Sequence, residues 1–416
     1  MSCLEVVGGN SLYGEGTIQG SKNAILPMMA AALLTKEEVL LSNCPNISDV
    51  ICMIDIMKDI GVQVVKQEHN LLIHAKDILN VTIKEEYGKR MRASVILAST
   101  LLAREHKVKF PYPGGCTIGA RPIDLHIQAL EKMNVQFQEE EKFIVGNTLG
   151  FCGADIYFSF PSVGATQQAI LAGVLAKGTT RIYNAAREPE IWTLCDMLNK
   201  MGARILGAGT ECLCIEGVEC LHGIEYKVPC DRIVAQTYLC AAAGCGGEIT
   251  LHTDCVMQMK IVMNMLQEMG VEIKSNPNMV CCKRKRQLKN IPKVKTAVYP
   301  GFPTDMQSIF LALLSIGEGT GVVEEEIFES RYACVPELKK MGADIRIVEQ
   351  CAIVNGKRKL CGADVEAKDL RGGAALILAG LEAEGITRIK GGEYILRGYE
   401  SLESELGQFG AKIRWM

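Results

Sequence analysis

Six stretches of this chain are apolar nearly all the way round: AILPMMAAALL, ASVILASTLLA, ATQQAILAGVLA, AQTYLCAAAG, MQSIFLALLSI and GAALILAGLEA. Read as helices they have no wet face, so each is expected to be buried on most sides. After each comes a glycine or charged turn and a short β-branched run such as TRIYNA or GEITLH. A second helix follows, of which EIWTLCDMLNK is an example; its apolar residues recur on one side only and leave the other to water. The predicted unit is therefore α-β-α-β, with one or two extra strands.

The second helix of every unit ends in the same way, in DIGVQVV, KMNVQFQ, KMGARIL, EMGVEIK, KMGADIR and QFGAKIR. The pivots Gly61, Asn134, Gly202, Gly270, Gly342 and Gly410 lie 73, 68, 68, 72 and 68 positions apart. Glycine, with asparagine as the second choice, is what a left-handed residue just past a helix end requires. The chain thus reads as six repeats of about 70 residues, three to a domain, with helices inside a ring of sheets and a boundary near CLHGIEYKVPCD.

Composition narrows the partners. With 48% apolar and 22% charged residues among 416, the chain is an ordinary globular protein. A net charge of −3 gives no long-range pull toward nucleic acid or anionic membrane, so anions must be held by locally placed cations. The basic run Cys282 to Arg286 is expected to be a solvated hairpin between strands. MSCLEVVGGN has neither the basic start nor the apolar core of a signal peptide, and no run suits a membrane span, so a cytoplasmic protein is expected. The 18 cysteines are scattered, without CxxC pairs, which fits small buried hydrophobes better than disulfides or zinc ligands.

Counting back about 38 residues from each pivot lands on the start of each buried helix: Asn23, Arg92, Gly164, Arg232, Asp305 and Arg371. Helix starts expose unpaired N–H groups and a positive dipole end. Ser21-Lys22-Asn23, Met91-Arg92-Ala93-Ser94, Pro161-Ser162-Val163-Gly164 and Asp369-Leu370-Arg371 combine a capping or glycine residue with, in three cases, a cation. In register, they predict anion sites for a phosphate-bearing substrate in a cleft between the domains. Ordinary caps and interdomain salt bridges fit the same residues.

Two positions break the repeat. Asp305, in FPTDMQ, is the one carboxylate at the aligned position; a general base and a capping aspartate both fit it. In PGGCTIGARP, glycines flank Cys116, with Arg121 and His126 close by in sequence. A loop of that composition suits a reactive thiol, since neighbouring cations lower its pKa, better than it suits a core segment.

With GSKNAILP, MRAS, PGGCTIGARPIDLHI, FPSVGAT, NAAREPEI, FPTDMQ, IFESRY, DLRGGAAL and RGYES, the chain resembles the UDP-N-acetylglucosamine 1-carboxyvinyltransferase family along nearly its whole length. The resemblance implies a two-domain inside-out α/β barrel, the enolpyruvyl transferase fold, with residues 22–229 as one domain and residues 1–21 plus 230–416 as the other. It implies transfer of the enolpyruvyl group of phosphoenolpyruvate to the 3-hydroxyl of the sugar in peptidoglycan precursor synthesis, hence a part in cell wall biogenesis, cell shape and division. No metal or organic cofactor is implied. The expected partners are these two small substrates, with no nucleic acid, no membrane and a monomeric chain.

By the same resemblance Lys22, Asn23, Arg121, Arg371 and Arg397 hold phosphoenolpyruvate, with Lys22 and Arg397 also catalytic. Cys116 is the general acid, the lid, and the thiol that epoxides such as fosfomycin alkylate. Asp305 deprotonates or positions the sugar hydroxyl. Arg92, Arg121, Pro122, Ile123, Asp124, Leu125, Ser162, Val163, Gly164 and Ile327 hold UDP-N-acetylglucosamine together with Asp305, and Arg371 and Asp369 act across the cleft as it closes. Phe160 stands where some members carry lysine. The alternatives are a 5-enolpyruvylshikimate-3-phosphate synthase-like transferase, and a catalytically silent UDP-N-acetylglucosamine-binding paralogue; Lys22, Cys116, Asp305 and Arg397 argue against the second.

Overall fold

The structure is a computed structural model that describes residues 2–112 and 123–416. These divide into two compact units. The N-terminal unit holds residues 20–112 and 123–229, and the C-terminal unit holds 2–19 and 230–416. Each has its own hydrophobic core and, among the described residues, three sheets.

The apolar stretches form the inner helices α1 (Lys22–Ala32), α2 (Leu97–Glu105), α3 (Val163–Gly173), α4 (Arg232–Cys245), α5 (Gln307–Leu314) and α6 (Leu370–Glu382). They are buried as their composition demands: Ala24 to Ala32, Ala165 to Gly173 and Arg371 to Leu381 are continuously covered. Within the C-terminal unit α4, α5 and α6 pack on one another, and within the N-terminal unit α2 packs on α3. The second helices behave differently; in Pro189–Lys200 the buried positions recur on one face while Trp192 and Lys200 meet solvent. All six pivots have positive φ, from 75° at Asn134 to 105° at Gly202, the conformation that lets a helix end turn directly into a strand.

In three sheets a strand before the inner helix lies parallel to the strand after it; in two the parallel strands are exchanged, Ile224–Lys227 lying beside Glu38–Ser42 and Leu12–Thr17 beside Gly247–His252. A hairpin grown from the pivot typically adds two antiparallel strands. Asp155–Tyr157, Thr179–Tyr183, Cys212–Glu216 and Arg204–Leu206 are one instance. In the last repeat the pivot strand Lys412–Trp415 has no following partner, and Cys3–Val7 from the start of the chain takes that place, between it and Ile386–Lys390. Leu12–Thr17 likewise provides the parallel strand beside Gly247–His252. The chain's first two strands therefore complete sheets of the C-terminal unit.

The basic run departs from expectation. Met279–Arg284 is itself a strand, not a hairpin loop, and Cys282 in it is buried. Strand alternation turns Lys283 outward between Glu248 and Glu272 on the flanking strands, and Lys285 lies 3.0 Å from Glu272. Lys283 and Lys285 are thus paired with acidic side chains across the sheet.

Candidate active site

In the N-terminal unit Lys22 is the first residue of α1. Ser21 stays extended before it and makes no side-chain cap bond. The Lys22 ammonium lies 2.7 Å from the nearly buried Asp49 carboxylate, which fixes an otherwise flexible side chain. Asn23 follows, half-buried. Arg92 opens the 3₁₀ turn Arg92–Ile96 ahead of α2, a tighter start than the continuous helix the pattern suggested.

The helix Asp124–Lys132 begins with Asp124 and Leu125 after the capping residue Ile123, and carries His126 inward. Burial, and then the charge of Arg92, push the His126 imidazole down to about 4, so it is neutral near pH 7. Its ring packs against Gly164: a Cβ there would fall 2.7 Å from His126 Cε1, which only glycine avoids. Ser162 caps α3 by accepting from the Ala165 N–H at 3.3 Å, and Val163 is the first helical residue. Arg92, His126 and the 162–164 turn are thus one cluster. Cys116, Arg121 and Pro122 lie outside the described residues.

In the C-terminal unit Asp305 sits in the 3₁₀ turn Thr304–Met306 just before α5. Its Oδ1 accepts from Arg331 at 2.6 Å and its Oδ2 from Arg371 at 2.9 Å, so each oxygen has its own guanidinium. A quarter of the Asp305 side chain is accessible, against 3% for Arg331 and 6% for Arg371. Burial pushes its carboxyl up, but Arg371 and then Arg331 outweigh it and hold the group well below the usual carboxylate range. Asp305 is therefore ionised and, while both arginines stay, a poor base.

Arg371 is itself braced. Its guanidinium lies 5.9 Å from the centre of the buried Tyr399 ring, whose hydroxyl is 2.8 Å from that of Thr237. Asp369 does not leave an open anion site at the start of α6, as its register suggested: its carboxylate accepts from the N–H groups of Arg371 and Gly372, closing that helix end. Arg397 ends the 3₁₀ turn Gly392–Arg397, two residues before Tyr399. Ile327 is held through its N–H by Glu325, whose other oxygen meets Thr304.

Arg331, Glu325, Thr304, Tyr399 and Asp49 were not picked out by the helix-start register. Arg331 and Tyr399 lie within IFESRY and RGYES, and Thr304 within FPTDMQ, so the motifs contained them without indicating roles. Among the described residues no group of three or more His, Cys, Asp or Glu could hold a metal ion, and no helix is long and apolar enough to cross a membrane.

A carboxylate clamped by arginines at one helix start, and cations at matching starts elsewhere, on paired sets of three sheets, define an enolpyruvyl transferase architecture. Residues 6–406 match the family of EPSP synthase (3-phosphoshikimate 1-carboxyvinyltransferase). The fold is similar to that of the enolpyruvyl transferase NikO from Streptomyces tendae, with TM-score 0.90 at 23% identity over 100% of this chain and 99% of that one. EPSP synthase from Acinetobacter baumannii has TM-score 0.78 at 18% identity, covering all of both chains. In sequence the chain is 44% identical over 413 residues to UDP-N-acetylglucosamine 1-carboxyvinyltransferase 2 of Caldanaerobacter subterraneus subsp. tengcongensis, covering 99% of each. It is 41% identical over 415 residues to UDP-N-acetylglucosamine 1-carboxyvinyltransferase of Clostridium botulinum, again covering 99% of each. The chain belongs to the EPSP synthase family of enolpyruvyl transferases, in its UDP-N-acetylglucosamine 1-carboxyvinyltransferase branch.

Proposed function

We propose that this chain transfers the enolpyruvyl group of phosphoenolpyruvate to the 3-hydroxyl of UDP-N-acetylglucosamine, in the cytoplasm and as a monomer, opening peptidoglycan precursor synthesis. The observation that carries this reading is Asp305, an accessible carboxylate kept ionised by two buried arginines. The near full-length kinship with transferases of that name supports the choice of acceptor.

In the proposed reaction Cys116 protonates the methylene carbon of phosphoenolpyruvate, and the sugar oxygen bonds to C2 as Asp305 takes its proton. The methyl group then gives a proton back, and the C2–O bond to phosphate breaks. Lys22, Asn23, Arg121, Arg371 and Arg397 hold the donor's anionic groups, and Arg92, Ile123 to Leu125, Ser162 to Gly164 and Ile327 hold the nucleotide sugar. An anionic donor that drew Arg371 off Asp305 would let the carboxyl rise toward its ordinary range. Asp305 would then become a competent base only with donor bound, in surroundings of fixed cations that also stabilise departing phosphate.

The test is phosphate release from phosphoenolpyruvate by the purified chain. Release is expected with UDP-N-acetylglucosamine and not without it. Release with shikimate 3-phosphate would select the shikimate-type transferase, and binding of the nucleotide sugar without turnover would select a silent paralogue.

A further inference from the structure

Behind Asp305 the C-terminal unit holds a second carboxylate, Glu325, which is 1% exposed. A charge so enclosed must have its oxygens satisfied. Its Oε1 accepts from the N–H groups of Ile327 at 2.9 Å and Phe328 at 3.0 Å, and its Oε2 accepts from the Thr304 hydroxyl at 2.9 Å. Because the carboxylate can only accept and Arg331 can only donate, the direction of each bond at Thr304 is fixed. The hydroxyl gives its proton to Glu325 and receives one from Arg331 at 3.0 Å. The Arg331 guanidinium carbon also lies 5.3 Å from the centre of the Phe328 ring. Glu325, Phe328, Arg331 and Thr304 therefore form a closed ring, and the remaining arm of Arg331 leaves it to meet Asp305 at 2.6 Å.

We propose that Thr304 is a positioning residue: it locks Arg331 onto Asp305 and, through Glu325, ties that pair to the backbone at Ile327. This rests on the reading of Asp305 as the group facing the sugar hydroxyl and of Ile327 as an acceptor contact. The hydroxyl and the Asp305 carboxylate accept from different nitrogens of the same guanidinium, so the side chain of Thr304 reaches the carboxylate through Arg331. Contacts made to Ile327 by a bound acceptor would be transmitted along rigid hydrogen bonds to the arginine that sets the charge state of Asp305.

Thr304→Val keeps the shape and removes the hydroxyl, whereas Thr304→Ser keeps the hydroxyl. In the phosphate-release assay Thr304→Val is expected to lower kcat about tenfold, with the KM for phosphoenolpyruvate within about twofold. Loosening Arg331 weakens a cation's hold on Asp305, so the acid limb of the kcat profile should move to higher pH. Thr304→Ser should restore both. A merely structural role would lower the melting temperature and leave the acid limb in place; that result, or unchanged kcat, would overturn the proposal. Unfolding of Thr304→Val, Asp305→Asn and the double variant supplies a second arm independent of turnover. The combined loss should fall short of the product of the separate losses by about fivefold in the unfolding constant, and strict additivity would remove the tie. If the wild-type chain releases no phosphate, the functional reading fails while this second arm still decides whether Thr304 acts through Arg331 on Asp305.

Discussion

The two units begin their inner helices in the same register and finish them with opposite chemistry. In the C-terminal unit Asp231 accepts from Ile233 and Val234, and Asp369 from Arg371 and Gly372, so two of its helix starts are closed by their own carboxylates. In the N-terminal unit Ser21 and Met91 give no side-chain cap, and Ser162 gives a single bond of 3.3 Å. Lys22 and Arg92 add cations where the helix dipoles are already positive. The same scaffold position thus carries mostly uncapped starts with Lys22 and Arg92 in one unit, and in the other two carboxylate-capped starts with Arg232 and Arg371 beside one arginine-clamped carboxylate, Asp305.

The largest way to break this contrast is to remove its one carboxylate of the aligned position. Asp305→Asn keeps the size of the side chain but cannot take a proton, and it leaves Arg331 and Arg371 facing a neutral group. Turnover is expected to fall about a thousandfold, within the range typical for loss of a general base, while calorimetry still registers UDP-N-acetylglucosamine binding. Retention of more than about a tenth of the activity would reduce Asp305 to a structural counterion for two arginines. In the N-terminal unit the corresponding change acts on packing. Gly164→Ala places a methyl group against the His126 ring, 2.7 Å from Cε1. Overpacking of this kind costs about 1–3 kcal/mol, so the KM for the nucleotide sugar should rise about tenfold with a smaller change in kcat. An unchanged KM would separate the 162–164 turn from acceptor binding.

Which parts of this were legible in the sequence follows from how local each signal is. The pivots, five glycines and Asn134, report a backbone conformation set by their own turn, so all six could be read without knowing any contact. The inner helices announced their burial through composition alone. The exchange of Cys3–Val7 into the last sheet was not legible from the repeats, because strand pairing between positions almost 400 apart leaves no spacing rule, and only the resemblance pointed to it. Arg331 escaped for a related reason: it lies 26 positions beyond Asp305, in a turn rather than at a helix start. Asp369 was legible as a capping residue, and between the two readings its register allowed, the structure shows the cap, which takes up the N–H groups of its own helix.

The smallest expected effect sharpens the comparison through pH. In the N-terminal unit His126 titrates at about 4 when folded, with burial and then Arg92 as the causes, against about 6.5 when unfolded. Between those values only the unfolded chain binds the proton, so this unit loses stability as pH falls through that window. In the C-terminal unit the sign reverses. Burial raises the Glu405 carboxyl to about 7, despite a hydrogen bond from Tyr238 that acts the other way. From its unfolded value near 4.3 up to about 7, the folded unit binds the extra proton, and stability is lost as pH rises. Each group contributes on the order of 3 kcal/mol across its window. Hydrogen exchange followed in peptides of α3 and α4, corrected for intrinsic rates, should therefore show protection falling toward pH 5 in the first and toward pH 7.5 in the second. His126→Asn should flatten only the α3 slope and Glu405→Gln only the α4 slope. Parallel slopes in both peptides would mean that the two units unfold as one and that His126 and Glu405 give them no separate pH response.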